Sequence, residues 1–219
     1  MSINRAMSGL VIVLVCLATL GCTPISNSYY FILARYKVND YDHEGAIVDY
    51  TKIIENDPGN VTAYVQRGHA KANSTQYNDE NNPAIAVLNQ AILNSSISDF
   101  DKALKLEPYK ADAFLGRGQV NHQSDKFQAA IDDYSIAIEI NPRLFEAYYW
   151  RGISKKAMDN NPMRACTDWK MAAQLWTPTT LWEKFYSSMP RDLRSKLGMT
   201  HNAAETAANN VNQLCQEYL

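Results

Sequence analysis

The chain is poor in the residues that carry chemistry. Among its 219 residues are four cysteines and four histidines, and none stands in a catalytic or metal-binding spacing. There is no HExxH, no paired CxxC, no glycine-rich phosphate loop and no GxSxG, so the expectation is a protein without a metal, a cofactor or catalytic residues. Charge of one sign is lacking too. With 21 Lys+Arg against 23 Asp+Glu the chain is mildly acidic, and its densest basic cluster, PRDLRSKLG, holds an acid and reads as a solvated helix face. A polyanion binder shows a strong basic excess on one face, so nucleic acid is not an expected partner. The N-terminal apolar run also falls short. GLVIVLVCLATLGC, from Gly9 to Cys22, has an apolar core of about a dozen residues, where a spanning helix needs about 20.

Such a run after a single basic residue, Arg5, reads as a secretory signal. Ala18-Thr19-Leu20-Gly21 before Cys22 resembles a bacterial lipobox, although Thr19 stands where Leu is commonest; an ordinary secreted protein cut nearby is the other reading. The resemblance implies a lipoprotein signal peptide over 1–21, acylation of the Cys22 thiol with diacylglycerol, and a lipidated tether over 22–28. Two or more acyl chains, at about 0.8 kcal/mol per buried methylene, make such attachment stable. Thr23 rather than Asp after the cysteine implies the outer membrane, facing the periplasm.

The rest of the chain repeats. Pro58, Ala63 and Gly68 match Pro108, Ala113 and Gly118, and again Pro142, Ala147 and Gly152, each with an aromatic after the Ala and an Arg before the Gly. Each copy resolves into two apolar-periodic segments. The second segments, GAIVDYTKIIENDP, SISDFDKALKLEP, AAIDDYSIAIEINP and RACTDWKMAAQLW, place a small residue, an aromatic four on and a small or aliphatic residue three on. In the third of these Ala130, Tyr134 and Ala137 thus share one helix face, and the following Pro ends the helix. Gly118 precedes Ala130, Gly152 precedes Ala165 and Ala34 precedes Ala46 by twelve or thirteen residues. The expectation is that paired helices touch where side chains are absent, which accounts for a residue costing about 1 kcal/mol in a helix.

A 34-residue helix-turn-helix with an aromatic at position 4, Gly at 8, Ala at 20, an aromatic at 24 and Pro at 32 resembles the tetratricopeptide repeat (TPR). The resemblance implies an all-α, right-handed α-solenoid of about four repeats over 29–178. The repeats run about 27–60, 61–110 with a 16-residue insertion, 111–144 and 145–178, and capping helices are expected over 179–219. In the second repeat the insertion reads as one long second helix from near Pro83. It either projects by about four turns or folds back at Asn94-Ser95-Ser96. Ile85, Leu88 and Ile92 are then expected to pack on a neighbouring repeat or to meet a partner, self-association included.

The resemblance also implies that positions 5, 9 and 12 of each first helix line a concave, peptide-holding groove: Phe31, Arg35 and Val38; Val65, His69 and Ala72; Leu115, Gln119 and His122; Tyr149, Ile153 and Lys156. This face is more apolar than charged, and Asp112 and Glu146 at second positions would repel a carboxylate, so an extended or helical segment with apolar anchors is the expected occupant. Cys166 and Cys215 read either as a disulfide pinning the final helix onto the fourth repeat or as two buried free thiols. The expected role is a non-catalytic scaffold or adaptor for envelope proteins. A pilus or secretin assembly factor and an enzyme accessory domain are the alternatives.

Overall fold

In a computed structural model of the chain, residues 26–75, 83–159 and 163–175 are described. The signal, Cys22, residues 23–25 of the tether, Cys215 and the capping segment lie outside these residues, whereas the last three residues of the expected tether, Ser26, Asn27 and Ser28, form the N-cap and start of the first helix. Regular structure among the described residues is helical: α1 (Asn27–Asn39), α2 (His43–Asn56), α3 (Val61–Asn73), α4 (Pro83–Leu106), α5 (Ala111–Gln123), α6 (Phe127–Ile140), α7 (Phe145–Asp159) and α8 (Met163–Leu175). Local chemistry sets the starts and stops. Ser26, Asp42 and Asn60 accept hydrogen bonds from the Tyr29, Gly45 and Ala63 amides at the starts of α1, α2 and α3, satisfying donors that a helix leaves free. α2, α4 and α6 each stop two residues before Pro58, Pro108 and Pro142. Tyr41 and Asp125, at the same place in the turns after α1 and α5, take φ of 63° and 57°, which reverses the chain within three residues.

Each helix packs on the next, and α3 also touches α5 as α5 touches α7. The second helices of successive repeats make no comparable contact. The stack therefore bends toward its first helices, which line the inner side of an all-α solenoid whose core is local and continuous.

Aromatic rings fill the space that the repeat glycines leave. A Cβ on Gly118 would meet Tyr134 Cε1 at 2.6 Å, one on Gly152 would meet Trp169 Nε1 at 2.5 Å, and one on Gly68 would meet Phe100 Cζ at 2.9 Å. The small residues expected opposite these glycines, Ala130 and Ala165, are fully buried one turn before the rings. The residue seated over the glycine is the aromatic four positions after the small one, because a flat ring fills the gap better than two bare backbones. The small position still matters: Ser96, standing where the other repeats have Ala46, Ala130 and Ala165, donates its hydroxyl to Gly68 O at 2.7 Å. Phe100 is fully buried and also covers Gly116, where an added Cβ would meet its ring at 2.4 Å. One ring thus fills gaps on the first helices of two repeats.

The irregular helix α4 runs unbroken through Asn94-Ser95-Ser96, without a hinge. It has 24 residues where α2 and α6 have 14. Leu93, 5 % exposed, occupies the register of His43 and Phe127, so the extension is Pro83 to Ile92, about 15 Å at 1.5 Å per residue, nearer three turns than four. Ile85 and Ile92 are half-buried, but Val87 and Leu88 stay 71 % and 55 % exposed. For Leu88 the expected packing on a neighbouring repeat is not what the fold provides.

Candidate functional site

The inner face is held in shape by a polar device that recurs in register. Arg67 donates from Nε and Nη2 to Asp99 at 3.0 and 2.6 Å, and from Nη1 to Thr51 Oγ1, in the preceding repeat, at 3.1 Å. Arg151 does the same with Asp168 at 3.0 and 2.6 Å and with Ser135 at 3.1 Å. Arg117 grips Asp133 at 3.1 and 2.7 Å and reaches back to Asp101 at 2.6 Å. The guanidinium carbons lie 5.7, 5.4 and 5.6 Å from the ring centres of Tyr64, Phe114 and Tyr148. Each Arg thereby joins both helices of its own repeat to the repeat before it, in the bidentate geometry that suits a carboxylate. The hydrogen bond with Asp133, above all, pushes the Arg117 pKa upward.

The four aspartates, Asp49, Asp99, Asp133 and Asp168, are at most 5 % exposed. A second donor one helical turn after the Arg meets three of them: Lys71 on Asp99 and Lys155 on Asp168, both at 2.8 Å, and Asn121 on Asp133 at 3.0 Å. The first repeat has Leu33 where the others have this Arg, and Lys37 meets Asp49 at 2.7 Å. Sequence reasoning noted the Arg before each glycine and missed its partner. The signal was present, since each second segment places Asp directly before its aromatic.

On this frame the predicted groove residues fall into three groups. Arg35 and Lys156 are exposed, and Phe31, Leu115, Gln119, Tyr149 and Ile153 are half-buried. Val65 is 2 % exposed within the cluster of Phe100, Leu93 and Val120, so it belongs to the core rather than to an open surface. Val38 and Ala72 likewise pack against core clusters.

The two histidines form the third group. His69 sits edge-on to Phe100, with centroids 5.1 Å apart, against Gly116. Burial lowers its pKa to about 4, against a small upward pull from Asp112. His122 Nδ1 lies 2.9 Å from Ser154 Oγ, and its ring meets Phe127 and Trp150; its pKa is lowered by burial. Both imidazoles are half-buried and join successive repeats, so the inner face meets them only in part. Among the described residues no group of three or more His, Cys, Asp or Glu is placed to hold a metal ion.

Two carboxylates, Asp112 and Glu146, stand one helical turn before Leu115 and Tyr149. Glu146 has a raised pKa, chiefly through burial, with the Asp112 carboxylate adding to the rise. The ring of Tyr149 lies edge-on to Trp150 at 5.5 Å, and burial pushes its hydroxyl pKa up. Apolar and aromatic surface thus lies beside two neighbouring carboxylates on the inner side of a helical stack.

This architecture has relatives among solved structures. A thermophilic TPR protein from Thermus thermophilus aligns with a TM-score of 0.62 and 16 % identity, over 76 % of this chain and 82 % of its own. The fold is the tetratricopeptide repeat. MamA aligns at 0.52 with 20 % identity, over 87 % of this chain and 88 % of its own. The first TPR domain of human RPAP3 aligns at 0.51 with 20 % identity, over 61 % and 93 %. Among curated proteins, serine/threonine-protein phosphatase 5 of Mus musculus is 26 % identical over 112 residues, which are 49 % of this chain and 19 % of that protein. The chain thus spans about a fifth of that relative, and the likeness carries no activity across. No family model matches.

In this TPR fold the Arg before the glycine ties each first helix to the second helices on either side of it.

Proposed function

We propose that the protein is a membrane-anchored TPR scaffold or adaptor that holds a segment of another protein on its inner face and catalyses nothing itself. The observation that carries this reading is the contact of α3 with α5 and of α5 with α7. It brings together the helices that carry Leu115, Gln119, Tyr149 and Ile153, which in this reading form the binding surface with Asp112 and Glu146 at its edge. An apolar segment bearing Lys or Arg complements that surface, and a C-terminal carboxylate does not. Acylation of Cys22 would place the scaffold in the bacterial envelope, at the outer membrane facing the periplasm, where assembly of envelope complexes or control of envelope enzymes is the expected task. Assembly of a pilus or secretin is the narrower alternative.

A bond between Cys166 and Cys215 fits this setting. Cys166 is buried at 7 % on α8, and closing a loop of about fifty residues would stabilise the C-terminal end by about 3 to 4 kcal/mol in the chain-entropy account. Self-association through the second-repeat insertion is a further reading, and the exposed Val87 and Leu88 on α4 are where such a contact would begin. Light scattering of Val87→Ser/Leu88→Ser tests this, with loss of oligomers expected.

A photoreactive residue at Gln119, activated in the native envelope and followed by mass spectrometry, tests the main reading. One dominant protein adduct is expected, absent when the probe sits at Ile136 on the outer side of α6. Equal adducts from both positions would speak against a binding groove.

A further inference from the structure

The first repeat ends the stack with an open face. Positions 3 and 10 of the first helix are Ala63 and Ala70 in α3, Ala113 and Val120 in α5, and Ala147 and Ser154 in α7. All six are at most 2 % exposed, because the preceding repeat lies against them. In α1 the same positions are Tyr29 and Tyr36, with Ile32 between them on the same face. Ile32 is 71 % exposed and Tyr36 is 63 % exposed. Large side chains here would hold another repeat away, so the face is not built to continue the array.

We propose that this face of α1 rests on the lipid surface, with Tyr29, Ile32 and Tyr36 seated at the headgroup level. The proposal depends on the acylation of Cys22 put forward above. Only Thr23, Pro24 and Ile25 separate Cys22 from Ser26, the N-cap of α1. Four Cα steps reach at most about 14 Å, so an acylated Cys22 keeps the start of α1 beside the headgroups. From Tyr29 to Tyr36 the face runs about 10 Å along the helix. Tyrosine suits this depth, its ring facing the apolar layer and its hydroxyl facing water. α1 carries the exposed Arg35 and no acidic residue, which suits anionic headgroups, while its Lys37 is paired with Asp49. A second copy fits less well. Three side chains on one helix fall far short of the roughly 1,200 Å² that a stable protein interface buries.

The test uses the full chain, made in a bacterium that acylates lipoproteins and reconstituted in vesicles of phosphatidylethanolamine and phosphatidylglycerol. A benzophenone amino acid replaces Tyr36, and in separate preparations Ile32 and, as a control, the exposed Lys52 of α2. Circular dichroism matched to the parent shows that each preparation is folded. After illumination, phospholipid adducts at positions 36 and 32 in several-fold excess over position 52 are expected. Adducts to a second copy or to another protein without lipid, or equal lipid labelling at all three positions, would overturn the proposal. The mass of the Cys22 peptide separates the two readings. An acylated Cys22 with no lipid adduct sinks only the docking of α1, and an unmodified Cys22 sinks both.

Discussion

Replacing Asp133 by Ala gives a direct measure of the polar device between repeats. Asp133 is 4 % exposed and accepts from Arg117 Nε and Nη2 and from Asn121 Nδ2. Its loss leaves the buried Asn121 amide without that acceptor and leaves Arg117 with Asp101, whose side chain is 53 % exposed. Breaking a fully buried pair costs about 3–5 kcal/mol. Because the Arg117 side chain is itself 25 % exposed, we expect the lower end, about 3 kcal/mol. For a chain of this size that corresponds to a fall in Tm of about 6–12 °C. The assay is thermal and urea unfolding followed by circular dichroism, with Arg117→Ala and the double variant completing a cycle. A coupling of about 1–3 kcal/mol is expected. Glu55→Ala, which breaks the exposed Lys52 pair, serves as reference and costs at most about 1 kcal/mol. A cost for Asp133→Ala no larger than that of Glu55→Ala, or zero coupling, would refute the reasoning.

Three further outcomes follow from the packing. Gly116→Ala drives a Cβ into the Phe100 ring and costs about 1–3 kcal/mol. Gly59→Ala, whose Cβ meets only Asp57 Oδ1 at 3.5 Å, stays within about 1 kcal/mol of the parent in urea unfolding. His69 makes stability depend on acid. Its folded pKa of about 4 lies below its unfolded value of about 6.5, so its contribution is full above about pH 6.5 and is lost as the pH falls toward about 4. The loss reaches about 3 kcal/mol; His69→Phe flattens this part of the profile of unfolding midpoint against pH. On α4, Val87→Ser changes stability by less than about 0.5 kcal/mol, whereas Leu93→Ala costs about 2–5 kcal/mol by the same measurement.

The fold was legible because its determinants are local and recur. Pro58, Pro108 and Pro142 stop helices by a backbone effect that needs no partner, and Gly118 and Gly152 keep nearly the same offset to the second-helix aromatic, which the insertion lengthens for Gly68. The aromatic ring over each glycine was not anticipated. Periodicity places Ala130 and Tyr134 on the same helix face, and only the rotation of the helix pair decides which of them sits over Gly118. Asp133 was missed for a related reason. A charged residue inside an apolar stripe reads as solvent-facing until the Arg that neutralises it is seen to come from another helix.

The inner face was legible by register and less so by exposure. Leu115, Gln119 and Ile153 remain partly open, but Val65 is closed off by Phe100 and Leu93, and His69 and His122 are drawn into the contacts between repeats. Those contacts depend on how successive repeats stack, which a repeat-by-repeat reading does not contain. On α4 the extension was readable from Pro83 and the lack of a breaker. Its exposed Val87 and Leu88 were not, because an apolar residue carries no sign of whether a neighbour reaches it.

Binding of the segment captured from Gln119 to the purified full chain tests the central claim most directly, by titration calorimetry against Leu115→Arg and against Ile136→Arg on the outer side of α6. The account predicts that Leu115→Arg weakens binding at least about tenfold, or 1.4 kcal/mol, with the helical signal unchanged, and that Ile136→Arg leaves the affinity as it was. Undiminished binding by Leu115→Arg, or a loss confined to Ile136→Arg, would contradict it.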